Sequence, residues 1–269
     1  MHIKHVVKKE TELITLLTEL GFSKDYSSEL LRKKTDIKIN GQVYGKNYML
    51  HPGDVVEIET GDERSDIPVS IVNPVILFED EYFLAVNKPQ NLASIPTIAH
   101  YEDNLASRVK KHFEDTDQKC GIHILNRLDF ETAGVVVFSK NRFIANMAKK
   151  CEIHKVYEAT VQGILKEKSG VIDKPILKVG NSKKRIIDES GKRAVTEYKV
   201  IDETGKTSRV EFVLVTGRTH QIRIHMASIN HPLIGDKLYG TGEGQIDLKF
   251  KHIDFVLPIN GKDYSFNFV

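Results

Sequence analysis

Residues 126–140 read NRLDFETAGVVVFSK, and no other stretch limits the possible folds as tightly. Residues 135–138 form a continuous apolar run, the pattern of a strand buried on both faces. Just before it, residues 131–134 supply polar and small turn residues, and Arg127 and Asp129 bracket Leu128. The pattern therefore predicts an acid on a short loop gripped by core. Such loops hold side chains rigidly while leaving them open to a site. The plainer alternative is an exposed Arg and Asp at a strand edge, a pair worth little energy.

The chain has 269 residues, enough for one large domain or for a large domain with a small accessory one. With 40% hydrophobic and 28% charged residues it reads as folded and globular. A formal charge of +2 permits a nucleic-acid partner without requiring one. Two cysteines, Cys120 and Cys151, exclude a disulfide framework and predict free thiols in a reducing compartment. No apolar run approaches the roughly 20 residues of a membrane span, and the opening MHIKHVVKKETEL lacks a signal-peptide core. The expected setting is the cytoplasm, with no membrane partner.

Along the chain, residues 11–20 carry an apolar stripe closed by Gly21, which predicts a short helix. A second helix is expected over 24–34, ending in Arg32, Lys33 and Lys34. Residues 36–58 then alternate, turn at Asn40-Gly41 and close on Pro52-Gly53-Asp54, a hairpin signature. The polar stretch 61–70 reads as a linker. Beyond it, residues 75–78 and 82–86 predict a hairpin halted at Lys88-Pro89, and 141–154 a helix with Phe143, Ile144, Met147, Ala148 and Cys151 on one face. Strands are expected from Lys155, over 194–200 and over 209–215, with a helix capped by Thr219 and a last hairpin through Asn260-Gly261. Residues 182–193, with five cations, read as an exposed arm.

Several of these stretches carry a family likeness. The segment NRLDFETAG resembles the H-R-L-D-x-x-T-S-G signature of the RluA branch of pseudouridine synthases, with Asn126 in place of His and Ala133 in place of Ser. ILFEDEYFLAVNKP, KVYEA, GKRAVTEYKV and GRTHQIRIH…HPLIGDKLYG match further family motifs, and together they span nearly the whole chain. Residues 1–60 resemble the small αL RNA-binding module named after a ribosomal small-subunit protein. The resemblance implies an α+β fold. A helix-helix-hairpin module over 1–60 and a linker over 61–70 precede a domain over 71–269, built on a mixed, mainly antiparallel sheet flanked by helices.

It also implies an enzyme that isomerises uridines of ribosomal or transfer RNA to pseudouridine, acting as a monomer without a cofactor. Asp129 would be the catalytic carboxylate, as nucleophile or as base, with Arg218 as its ionic partner and Tyr157 against the target base. Leu128 and Ile222 would line the base pocket. Arg127 would fill the gap left by the extruded base, and Lys88, Arg32, Lys33, Lys34 and Lys38 would contact RNA phosphates. The competing readings are a non-catalytic RNA-binding protein and a hydrolase acting on nucleosides; a glycosidase using Asp129 and Glu131 is disfavoured because acids so close in sequence rarely straddle one sugar. The repeated spacing Cys120-x-x-His123 and Cys151-x-x-His154 raises a zinc site, set aside because Cys151 belongs to a core stripe. No metal is expected.

Overall fold

In the computed structural model, residues 2–32, 36–45, 47–59, 61–63, 65–180 and 182–268 are described. The first unit holds β1 (His2–Val6), β2 (Thr11–Glu12), α1 (Leu13–Glu19), α2 (Lys24–Arg32), β3 (Ile37–Ile39), β4 (Met49–Leu50) and β5 (Val55–Glu59). Both expected helices are present as far as they are described, with Leu13, Leu16 and Leu17 buried on α1. The hairpin needs correcting. Asn40 and Gly41 do turn with positive φ, but the turn yields only an isolated bridge from Ile39 to Gln42. Strand β3 instead pairs with β5, in a three-stranded sheet ordered β1-β5-β3. The sequence reading has no strand over residues 2–6. Its alternation is short, and only the pairing of Ile3 with Ile58 makes a strand of it.

The second unit continues through β6 (Val75–Glu79), β7 (Phe83–Lys88), α3 (Leu105–Asp115), β8 (His123–Ile124), β9 (Ala133–Ser139), α4 (Arg142–Ala148), β10 (His154–Gln162) and β11 (Ser169–Asp173). It closes with β12 (Ile176–Lys178), β13 (Arg185–Ile187), β14 (Val195–Thr204), β15 (Thr207–Leu214), α5 (Gln221–Ala227), β16 (Leu248–Leu257) and β17 (Lys262–Asn267). One large sheet runs β11-β14-β15-β10-β16-β9-β7-β6, with β17 on β16 and β8 on β9. Its only parallel pair among the described residues joins β9 to β16; the rest is antiparallel. The fold is thus mixed α+β around a mainly antiparallel sheet.

Strand β9 is buried at every position, as its apolar run requires. Gly134 sits at its start with φ +146, and a Cβ there would lie 2.5 Å from Phe250. Only glycine lets β16 approach this closely. Helix α3, capped by Asn104, has no counterpart in the sequence reading.

The stretch 61–70 carries no helix or strand among its described residues, yet it is no free tether. Glu63 accepts the backbone N–H of Arg142 at 2.9 Å and meets His123 at 2.5 Å. The two units also share a core, since Phe22 stacks on Phe143 of α4 with ring centres 3.8 Å apart. No helix of the described residues is long and apolar enough to cross a membrane.

Candidate active site

The loop before β9 is held by a dense set of hydrogen bonds. Asn126 is buried and bridges to β9, its amide donating to the Val135 carbonyl and its oxygen accepting from the Val137 N–H, both at 2.9 Å. Ser94 clasps the backbone of Leu128 from both sides, donating to its carbonyl at 2.7 Å and accepting from its N–H at 3.1 Å. The Phe130 carbonyl accepts from Asn91, and the Asp129 carbonyl from Thr132. These bonds fix residues 126–132 as one shape.

Lys88 supplies the strongest of these ties. The expectation that it contacts RNA phosphate is contradicted: the side chain is 0% exposed, and its ammonium donates to the carbonyls of Pro89 (3.0 Å), Phe130 (3.2 Å) and Thr132 (2.7 Å). Two of its protons go to the loop that carries the acid and the third to the neighbouring Pro89 carbonyl, leaving none for RNA. Burial pushes its pKa down to about 8, against the opposing pull of Asp129 nearby.

Asp129 itself is left half-open, with its side chain 38% exposed. Three side chains from two other chain segments converge on it. His220 places Nε2 at 3.9 Å from its carboxylate. Tyr157, on β10, is packed between the two main core clusters and set edge-on to Phe250 at 4.6 Å. Burial first, and then the charge of Asp129, push the Tyr157 phenol well above its usual range, so the ring keeps its proton. The third side chain is Arg223, on α5, which His220 caps.

Arg223 is the ionic centre of the site. It is 3% exposed and grips Asp236 through Nε (2.8 Å) and a terminal nitrogen (2.7 Å), while its other terminal nitrogen lies 3.1 Å from Glu131. Burial works against its charge, but Asp236, then Glu131 and Asp129, more than restore it. Asp236 is fully buried; burial raises its pKa, and the two Arg223 bonds together with the Leu238 and Tyr239 amides outweigh that, holding the carboxyl below its ordinary value.

The pairing of Arg218 with Asp129 is therefore corrected. Arg218 is exposed, and its side chain donates to the Arg193 carbonyl at 3.0 Å. The reason lies in the turn. His220, with φ 58, occupies the capping position of α5 in a left-handed conformation, where Thr219 is expected from the sequence. That kink leaves Arg218 outside and turns Arg223, on the first turn of the helix, toward the acid. Sequence reading overlooked Arg223 because both arginines stand in one motif, and only the phase of α5 separates them.

His220 completes the rim. Its Nδ1 meets the Tyr239 hydroxyl at 3.2 Å, and that hydroxyl accepts the Arg185 N–H at 2.8 Å. Its phenolic proton is thus free for Nδ1, leaving Nε2–H facing Asp129. Burial lowers the His220 pKa, with Asp129 opposing and Arg223 assisting. Strands β12 and β13 form the hairpin in which the basic stretch 182–193 is anchored, and Lys184 lies over the Tyr239 ring at 5.7 Å. The expected arm is a hairpin that carries cations to the edge of the site.

The remaining expected residues divide. Leu128 and Ile222 are both buried, in separate core clusters that Tyr157 joins. Arg127, Arg32 and Lys38 are exposed. Lys33 and Lys34 lie outside the described residues. The two C-x-x-H pairs form no common cluster among the described residues: His123 is engaged by Glu63 and His154 by Asp254. Burial raises the Cys120 thiol to about 11, a poor thiolate for any metal.

Comparison with known proteins agrees with this architecture. A family model described as RNA pseudouridylate synthase matches residues 82–228, which include Asp129, Tyr157 and Arg223. A Bacillus subtilis protein named uncharacterized RNA pseudouridine synthase YjbO is 32% identical over 93% of this chain and 92% of its own length. The dual-specificity RNA pseudouridine synthase RluA of Vibrio cholerae is 32% identical over 62% of this chain and 69% of its own. Among solved structures, human RNA pseudouridylate synthase domain containing 1 superposes with a TM-score of 0.61 over 77% of this chain and 86% of its own, at 23% identity, a likeness of fold. By the family model and by a relative 32% identical along nearly its whole length, the chain belongs to the RNA pseudouridine synthases of the RluA family.

Proposed function

We propose that this chain converts uridines of structured RNA to pseudouridine with Asp129 as the catalytic carboxylate. The observation that carries the reading is the half-open Asp129, encircled by Tyr157, His220 and Arg223 on a loop with no freedom of its own. In the reaction the N1–C1′ bond of the uridine breaks, uracil turns, and C5 bonds to C1′; the proton on C5 is lost and N1 gains one. Attack on C1′ and abstraction of a ribose proton are both open to a carboxylate so placed.

Tyr157, neutral and fixed by Phe250, offers a flat face to an extruded uracil. Extrusion costs a few kcal/mol, and the exposed guanidinium of Arg127 is suited to fill the vacated stack. Leu128 and Ile222 back the pocket from the core. Residues 2–59, with Arg32 and Lys38 exposed, act as an accessory RNA-binding unit of the αL kind. A Borreliella burgdorferi relative, 33% identical over 72% of this chain, is named ribosomal large subunit pseudouridine synthase D, and the Vibrio cholerae relative is named dual-specificity. Ribosomal RNA is accordingly the first substrate to test, transfer RNA the second.

The test is Asp129→Asn, nearly isosteric and uncharged. Tritium release from RNA labelled at uridine C5 should fall by about a thousandfold or more, with melting temperature and RNA affinity nearly unchanged. Activity within about tenfold of wild type would remove Asp129 from the chemistry. Mapping pseudouridines in ribosomal and transfer RNA of a deletion strain against its parent identifies the target.

A further inference from the structure

Away from the Asp129 cleft, three side chains converge where β10 begins against β16. His154 stands directly across from Asp254 in the register of the two strands, and His252 lies two residues from Asp254 on β16. One carboxylate oxygen of Asp254 receives both rings: His252 Nε2 at 2.6 Å and His154 Nδ1 at 3.2 Å. The other nitrogen of His252, Nδ1, lies 2.9 Å from the Asn267 side-chain oxygen on β17. Two strands thus carry His154, His252 and Asp254, whose ligand atoms all lie within 4.8 Å of one another, and β17 adds Asn267 behind them.

The hydrogen-bond arithmetic of His252 is unusual. Both of its nitrogens face oxygen acceptors, and a neutral imidazole carries one proton. With Nδ1–H given to the Asn267 oxygen, the Nε2 lone pair faces the Asp254 carboxylate, and in that tautomer both groups can ligate a cation placed between them. An outer carbonyl-type oxygen that fixes the tautomer of a histidine is the usual companion of a metal-bound ring.

We infer that His154, His252 and Asp254 form a binding site for a divalent ion of the zinc class. Two imidazoles and a carboxylate suit zinc, cobalt(II) and nickel(II), and are a poor match for magnesium or calcium, which prefer oxygen. Metal–ligand bonds of about 2.0–2.2 Å in a tetrahedron set ligand atoms about 3.3 Å apart. The His154–Asp254 separation already meets this, and the His252–Asp254 contact needs to open by a fraction of an ångström. The side chains are 49%, 25% and 42% exposed, so an ion can enter from solvent and keep water as its fourth ligand. Such an ion would pin β10 to β16 just ahead of the irregularity between Val156 and Tyr157.

The full chain, without a histidine tag and stripped with a chelator, is titrated with zinc(II) by calorimetry and with cobalt(II) by visible absorption. One ion per chain is expected at this site, with the ligand-field bands of low-symmetry cobalt. His154→Ala and His252→Ala should each weaken binding by more than about tenfold, and Asn267→Leu, which touches no metal, by about tenfold. If His252→Ala fails to fold, the other two variants still decide. Absence of binding in wild type, or equal affinity in wild type, His154→Ala and Asn267→Leu, overturns the site. The readout is metal affinity, so a failed assignment of Asp129 leaves it unaffected.

Discussion

Arg223 and Arg218, five residues apart, make opposite predictions. Arg223 is buried with two bonds to Asp236 and a third contact to Glu131, whereas Arg218 spends its guanidinium on one exposed carbonyl. Removing one partner of a buried pair leaves the other charge stranded, at a cost of about 3–5 kcal/mol. Chemical denaturation of Arg223→Ala should show a loss of that size, and Arg223→Lys should also be impaired, since an ammonium cannot reproduce the planar fork. Arg218→Lys should melt and turn over within about threefold of wild type, as expected for an exposed side chain. Equal sensitivity at the two positions would return Arg218 to the centre of the site. Lys88→Met belongs to the same scale. It removes the donor to the Pro89 and Thr132 carbonyls, while Phe130 keeps the Asn91 N–H, and each buried acceptor left unsatisfied costs about 1–3 kcal/mol. The variant should be destabilised in denaturant, with turnover lost further than stability explains.

At the scale of elements, Gly134 decides how β9 and β16 meet. Its positive φ and the 2.5 Å approach of Phe250 to the place of a Cβ leave no room for alanine. Gly134→Ala should cost about 1–3 kcal/mol from strain alone and displace Phe250, on which Tyr157 leans. Tyrosine fluorescence and turnover should change together with stability. The elements also show what periodicity could and could not reveal. Strand β9 and the acid loop were legible because a fully buried strand writes a continuous apolar run, and the stripe of α4 because Phe143, Ile144, Met147 and Ala148 keep helical spacing. The burial of Lys88 escapes a local reading because Lys-Pro in isolation signals a solvated turn, while two of its three acceptors lie more than 40 residues downstream. The short β1 and the bridge at Asn40-Gly41 were decided by pairing with β5, a choice no local pattern records. The cluster at His154 was hidden for the same reason, its partners standing about 100 residues away.

For the whole molecule, buried histidines shape the acid side of the stability curve. His225 is fully buried between Thr196 and the Lys174 carbonyl, and burial lowers its pKa; His220 is lowered too, again first by burial. Both rings stay neutral in the folded chain at pH values where the unfolded chain, with a pKa of about 6.5, already takes up protons. Folding therefore loses stability as pH falls below about 6.5. A second loss follows below about 4.5 as Glu79, held near 2 by Lys140, Gln118 and His112 against its burial, is protonated in the unfolded state first. Melting temperature should fall in two steps on acidification, and His225→Gln should flatten the upper one.

The position of β16 bears on how such a molecule is born. In the large sheet this strand lies between β10 and β9, joining the half ordered β11-β14-β15-β10 to the half ordered β9-β7-β6. It begins only at Leu248. A ribosome making this chain therefore releases Asp129 and Tyr157 first, on two separate half-sheets with open edges, and the strand that brings them together only about 90 residues after Tyr157. Until then the acid and its tyrosine belong to different surfaces. The growing polypeptide carries an incomplete site for that interval, and the wait leaves both sheet edges exposed to wrong partners.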